Sequence, residues 1–134
     1  AGGNIKNLYD DAALSLGGSI AGGGTASTGS DVSNDGTLTS NDYNIIQTPV
    51  AGTALSGTTA HDLQTDPDLL PLADNGGPTP TDADLPSSPG TDYIPFAYCK
   101  ANGILVDQRG YPRDDGGDGF CDVGAFEYQS VHAR

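Results

Sequence analysis

CKANGILVDQRGYPRDDGGDGFCDVGAFEY, residues 99–128, holds both cysteines of the chain, three of its five basic residues and its densest acidic run. Cys99 and Cys121 form the only pair available, and bridging them closes a loop of 22 residues. By the chain-entropy argument such a bridge contributes roughly 3 kcal/mol, a large share of what a small domain has. Inside the loop, GILVDQRG reads as a strand running into a turn. Arg109 has no neighbouring base and is followed by Asp114, Asp115, Asp118 and Asp122, so it is expected to tie carboxylates or carbonyls together across the loop. CDVGAFEY alternates and reads as a last strand with Val123 and Ala125 inward. The stretch fits a stapled closing element better than a chemical centre.

The rest of the chain supports a fold of short strands. Its 134 residues favour one domain. Twenty Gly and nine Pro argue against a helical bundle, and Met and Trp are absent, so the interior must be built of small residues. Short strands with tight corners suit a sandwich or a β-solenoid. Eighteen acids against five bases give a formal charge of -13, which disfavours nucleic acid, whose phosphates need clustered Lys and Arg, and disfavours anionic membranes. Seventeen of the acids are Asp, a residue suited to turns and to Ca2+ coordination. The cysteine pair suggests an oxidising compartment. No apolar run approaches the ~20 residues of a membrane span. The chain begins at Ala1 rather than Met and is read as a processed or excised piece of a longer precursor.

Along the chain, residues 1–70 are expected to form the layered strands, 71–98 a Pro-rich wrapping segment and 99–134 the stapled end. Within 1–30, Tyr9 to Leu16 is the best helix candidate, but Gly17, Gly18 and Gly22 to Gly24 favour strands. In 31–50, Asp31, Ser33, Asp35, Gly36 and Asp42 take the spacing of an EF-hand-type loop, with Thr37 offering its carbonyl and NDYNIIQ a short helix. This stretch resembles one calcium loop of a dockerin module, a resemblance that implies a bound calcium. No second loop is present, and GTLTSNDYNIIQ reads equally as strand, turn, strand. His61 stands alone and reads as a surface or capping residue, and His132 as an exposed tail residue. Residues 71–98 carry most of the prolines, which bars a central strand; Leu70, Leu72, Leu85, Ile94 and Phe96 are expected to pin the segment down.

NDYNIIQ with DPDLLPLADNGGPTPT, then LPSSPGTDY, then DQRGYPR with CDVGAFEY, occur in order over residues 35–128. In this the chain resembles the C-terminal part of the bacterial choice-of-anchor Q domain proteins. The resemblance implies a right-handed parallel β-helix, export, and attachment to or display on the cell surface; no catalytic residue is carried over from it. The sequence departs from the family's pattern at SPGTD, where SPAID is usual, and in the acidic run DDGGDG before Cys121.

The expectation is therefore an all-β chain: a short right-handed parallel β-helix (solenoid) fragment with a Pro-rich, disulfide-stapled C-terminal closing segment. The expected role is a non-enzymatic extracellular structural protein that assembles with itself into a surface layer, sheath or filament, or an adhesin. A calcium-dependent module binding surface glycans or a protein is the alternative. Enzymatic activity is disfavoured because the two His are isolated and the two Cys serve each other. A polysaccharide-lyase arrangement would have to draw on Asp114, Asp115, Asp118 and Arg113, in a Gly-rich loop that makes a poor rigid platform.

Overall fold

The computed structural model describes residues 4–129, and the chain divides into two compact units between Asp66 and Pro67. The first unit is built of eight short strands. They are β1 (Ile5–Asn7), β2 (Ala13–Leu16), β3 (Ile20–Ala21), β4 (Val32–Asn34), β5 (Thr37–Asn41), β6 (Ile45–Ile46), β7 (Ala51–Gly52) and β8 (Ser56–Thr58). They form three parallel sheets, ordered β1-β4-β7, β2-β5-β8 and β3-β6, and a single bridge adds Leu63 beside Ile45. The chain thus lays down successive layers, each strand pairing with its counterpart in the next layer.

The step between layers is uneven. From layer one to layer two, Ile5 pairs with Val32, Ala13 with Thr37 and Ile20 with Ile45, separations of 27, 24 and 25 residues. From layer two to layer three, Ser33 pairs with Ala51, Thr39 with Ser56 and Ile45 with Leu63, separations of 18, 17 and 18. Much of the difference lies in one connection. Ten residues, 22–31, join β3 to β4, whereas four, 47–50, join β6 to β7.

Registration places like side chains over like. Leu14 pairs with Leu38, and one residue back from Thr39–Ser56 sets Leu55 beside Leu38. In the same way Ile5, Val32 and Val50 form a second column. Val32, Leu38, Ala21 and Ile46 are buried, with Ile5, Leu14, Leu16, Val50 and Leu55 packed against them. In β5 the alternation exposed–buried–half-buried–buried–exposed turns Leu38 and Ser40 inward.

Polar columns sit at the corners, where strands end and backbone groups lose ladder partners. Buried Asn7 donates from Nδ2 to Asn34 Oδ1 at 2.9 Å and to Thr37 O at 3.0 Å, and Asn34 donates in turn to Thr53 O at 2.9 Å. Asn44 accepts from Ser19 N at 3.0 Å and donates to Leu16 O at 3.1 Å, while Asp62 Oδ1 accepts the Asn44 N–H at 2.8 Å. These contacts tie three layers at two corners. They also explain Gly52. It pairs with Asn34, has φ of 90°, and a Cβ there would lie 2.2 Å from Asn34 O. Gly52→Ala is expected to cost about 1–3 kcal/mol in urea unfolding with an unchanged slope, since left-handed strain and a backbone clash coincide. An unchanged midpoint would show that the layers do not approach so closely.

The second unit has little regular structure. Strand β9 (Ile94–Pro95) leads into helix α1 (Phe96–Ala101), and β10 (Phe120–Cys121) pairs antiparallel with β9. The helix lies where the sequence reading has the end of a wrapping segment and the start of the stapled end. Pro95 fixes φ ahead of its first turn, and Asn102–Gly103 close it, Gly103 at φ of 72° with Ile104 N donating to Cys99 O at 2.8 Å. The Cys99–Cys121 disulfide joins α1 to β10. No helix among the described residues is long and apolar enough to cross a membrane.

Three expectations are corrected here. Leu70 and Leu72 are exposed and do not pin the Pro-rich segment; Ile94 is buried as expected, Leu85 and Phe96 are half-buried, and Thr81, Ala83, Asp84, Ser88 and Gly90 are buried beside them. CDVGAFEY forms strand only at Cys121, because Asp122 and Glu127 take backbone N–H groups of this segment and Gly124 turns it at φ of 96°; Ala125 is exposed and Glu127 buried. NDYNIIQ contains a strand, β6, rather than a helix. His132 lies outside the described residues.

Candidate functional site

The residues spaced like a calcium loop are not gathered around one point. Val32–Asn34 and Thr37–Asn41 are strands, so alternate side chains point to opposite faces instead of wrapping inward. Asp31 is fully buried, with Oδ1 accepting from Gly24 N at 2.9 Å and Oδ2 from Thr48 N and Oγ1 at 2.8 and 2.6 Å. It clamps the base of the 22–31 connection. Ser33 lies within β4 and pairs with Ala51. Asp35 faces Lys6 at 4.0 Å near the surface, and Thr37 gives its carbonyl to Asn7. Asp42 accepts from His61 N and meets His61 Nδ1, both at 2.7 Å. His61 also stacks on Tyr43 with centroids 4.7 Å apart. Burial pushes the Asp42 carboxyl up, but its bonds to His61 outweigh that and hold it below the ordinary carboxylate range.

The second unit concentrates charge in its interior. Arg109 is buried, and its Nε and Nη2 donate to Asp107 Oδ2 at 2.9 and 2.7 Å. Its Nη2 also reaches Glu127 O at 2.7 Å, and its Nη1 reaches Asn75 O at 3.4 Å. The guanidinium lies between two rings, 4.1 Å from the Tyr111 centroid and 3.7 Å from that of Phe126. Asp107 Oδ1 accepts the N–H groups of Arg109 and Tyr111 at 2.8 and 3.0 Å. Burial works to raise the Asp107 carboxyl, and the Glu127 N–H with the Arg109 guanidinium outweighs it, so the group stays ionised.

Arg113 is committed to the same interior. It donates to the carbonyls of Val106, Asp122 and Gly124 at 3.4, 3.2 and 2.6 Å, and to Glu127 Oε2 at 3.3 Å. Its guanidinium is thus taken up by three carbonyls and the Glu127 carboxylate. Glu127 is pushed up to about 9, by burial first and by the Asp122 charge; the Asp122 N–H and Arg113 oppose the shift. Arg113 does not prevail because its charge is divided among three carbonyls as well.

Beside this lies a group of acids. One carboxylate oxygen each from Asp92, Asp122 and Glu127 lie within 4.8 Å of one another. Asp122 accepts from Asp92 N at 2.7 Å and from Tyr128 N at 2.6 Å. Asp84 adjoins Asp122 and accepts from Thr91 Oγ1 at 3.0 Å; burial and the Asp122 carboxylate push it up to about 8. Asp92 rises to about 6, from burial and from Asp118, Asp122 and Asp115.

Sequence reasoning places Cys99, Cys121 and Arg109 in one element, and the structure puts the disulfide and the buried Arg109 in one unit. It does not find Arg113–Glu127 or the Asp84–Asp92–Asp122 group. The available signal was the single Glu of the chain, standing in an apolar alternation where a buried carboxylate needs partners.

No protein family matches the chain, and no curated protein or solved structure is found to match it.

Proposed function

We propose that the chain is a closing portion of a right-handed parallel β-helix of the choice-of-anchor Q kind, exported to a bacterial surface, and that it serves there as a non-enzymatic structural subunit associating with further copies of itself. Three parallel sheets advancing in step, with about 18 residues between layers two and three, support the solenoid reading. The disulfide supports an oxidising compartment.

The observation offered for the assembly reading is the outward side of layer one, where no described strand pairs. Ile5 and Asn7 direct their backbone groups to the β4 side, donating to Asp31 O and accepting from Asp35 N, and Ala12 O accepts from Thr37 N. By alternation, Lys6, Ala13 and Ser15 direct theirs the other way, where no described strand pairs. A side of this kind accepts a further strand, whether from an earlier layer of a longer chain or from a second copy. A net charge of -13 opposes such contact, so association strengthens with ionic strength.

Sedimentation velocity over a concentration series, at low salt and at about 0.5 M salt, tests this. Oligomers that grow with concentration and salt are expected. Ser15→Pro removes an outward N–H without touching the β5 ladder and is expected to abolish them while leaving the monomer folded. A chain that stays monomeric under every condition ends the assembly reading.

A further inference from the structure

We propose that Asp84, Asp92, Asp122 and Glu127 of the second unit hold a hard divalent cation of the Ca2+ class. The site is distinct from the Asp31–Asp42 spacing and rests on geometry the sequence does not display. One carboxylate oxygen each from Asp92, Asp122 and Glu127 lie within 4.8 Å of one another. Oxygens bound to Ca2+ at 2.3–2.6 Å stand up to about 5 Å apart across the ion, so this spacing is within the reach of one ion's ligand set.

A second observation is independent of the clustering. Glu127 Oε1 and Asp84 Oδ1 are buried with no hydrogen-bond partner, in residues 0% and 4% exposed. A buried, unpaired carboxylate oxygen is among the costliest groups a protein holds, and such atoms are normally paired or bound to metal. Glu127 offers Oε2 to Arg113 and to Asp122 N, which leaves Oε1 over.

The donor set decides the kind of ion. It consists of carboxylates, with no imidazole or thiolate, which selects hard cations over zinc or copper. The charge balance agrees. Asp115 and Asp118 act on Asp92 from nearby, and the cation bonded to the group is Arg113, itself divided among carbonyls.

The test uses the disulfide-intact chain stripped with EDTA and titrated with CaCl2 at pH 7, read by thermal melting and by tyrosine-sensitised Tb3+ emission. Millimolar calcium is expected to raise Tm by about 5–10 °C, reversed by chelator. Asp92→Asn alters the exposed member of the group and so spares folding. Without calcium it is expected to melt at or above the parent temperature, because one repelling charge is gone. With calcium it should lose most of the shift and weaken Tb3+ binding by at least about tenfold. Asp35→Asn, in the first unit, should keep the full response. No shift in the parent at 10-fold excess over a millimolar affinity would overturn the proposal. A shift that survives Asp92→Asn, or one lost in Asp35→Asn instead, would overturn it equally.

Discussion

Arg109→Ala is expected to lower the unfolding free energy by about 3–5 kcal/mol, the range for removing one partner of a buried ion pair. The Asp107 side chain is fully buried and takes two of its hydrogen bonds from this guanidinium. Removal leaves the carboxylate with backbone N–H donors alone. It also strips the cation from between Tyr111 and Phe126, and the Asn75 and Glu127 carbonyls each lose a donor. Arg109→Lys is expected to recover less than half of the loss, since an ammonium cannot donate in a fork to Asp107 and lie flat between two rings. Urea unfolding followed by far-UV and tyrosine signals measures both. A loss under about 1 kcal/mol for the alanine variant would mean that Asp107 is satisfied by the backbone and that the arginine is dispensable.

Opening the Cys99–Cys121 bridge is expected to cost about 3 kcal/mol, the value for freeing a loop of 22 residues in the unfolded chain. The second unit has few alternatives to it. Among its described residues the buried apolar ones besides the cysteines are Ala83, Ile94 and Val123, with Pro67 and Gly90, and the other buried residues are polar or charged. The paired Cys99→Ala, Cys121→Ala variant separates the cross-link from thiol chemistry, and hydrogen exchange locates the effect. Amides of Ile94–Ala101 and Phe120–Cys121 should lose protection first, because β9, α1 and β10 are the elements the bridge joins. Unchanged melting and exchange after reduction would mean that buried charge alone holds these elements.

The first unit was legible as strands because its apolar residues recur singly between glycines, and because LTS in β5 alternates cleanly. What hid the layering was the absence of repeated words. Stacking here depends on Leu over Leu and Asn over Asn at separations of 24 and 27 residues, and the next step is 17 or 18, so no fixed period shows. The Asp31–Asp42 spacing is ambiguous for a related reason. Alternate Asp, Ser and Asp suit a calcium loop, and they equally suit a strand pair whose ends are capped by side-chain oxygens. In the second unit the cysteines and Arg109 stood out by rarity. Glu127 is rarer still, as the single Glu of the chain, but its burial and that of Asp84 did not show, because their environment comes from segments 43 residues apart, and burial of a carboxylate leaves no local mark.

The uneven step between layers has a consequence for how this fold can vary. Asp31 pins the start and finish of the 22–31 connection to Gly24 and Thr48, and Ser30 Oγ lies 3.0 Å from Thr48 Oγ1. Residues 25–28 lie outside that clamp, whereas Gly29 packs against Ser33 and Ala51. Foreign sequence grafted there, whether an epitope, a tag or an enzyme, would be displayed without moving any side-chain column out of register. The four-residue link 47–50 offers no such freedom, since Val50 belongs to the core and Thr48 to the clamp. One face of the stack thus offers a position where the chain can lengthen, and its counterpart a single layer further on is committed to the core and the clamp.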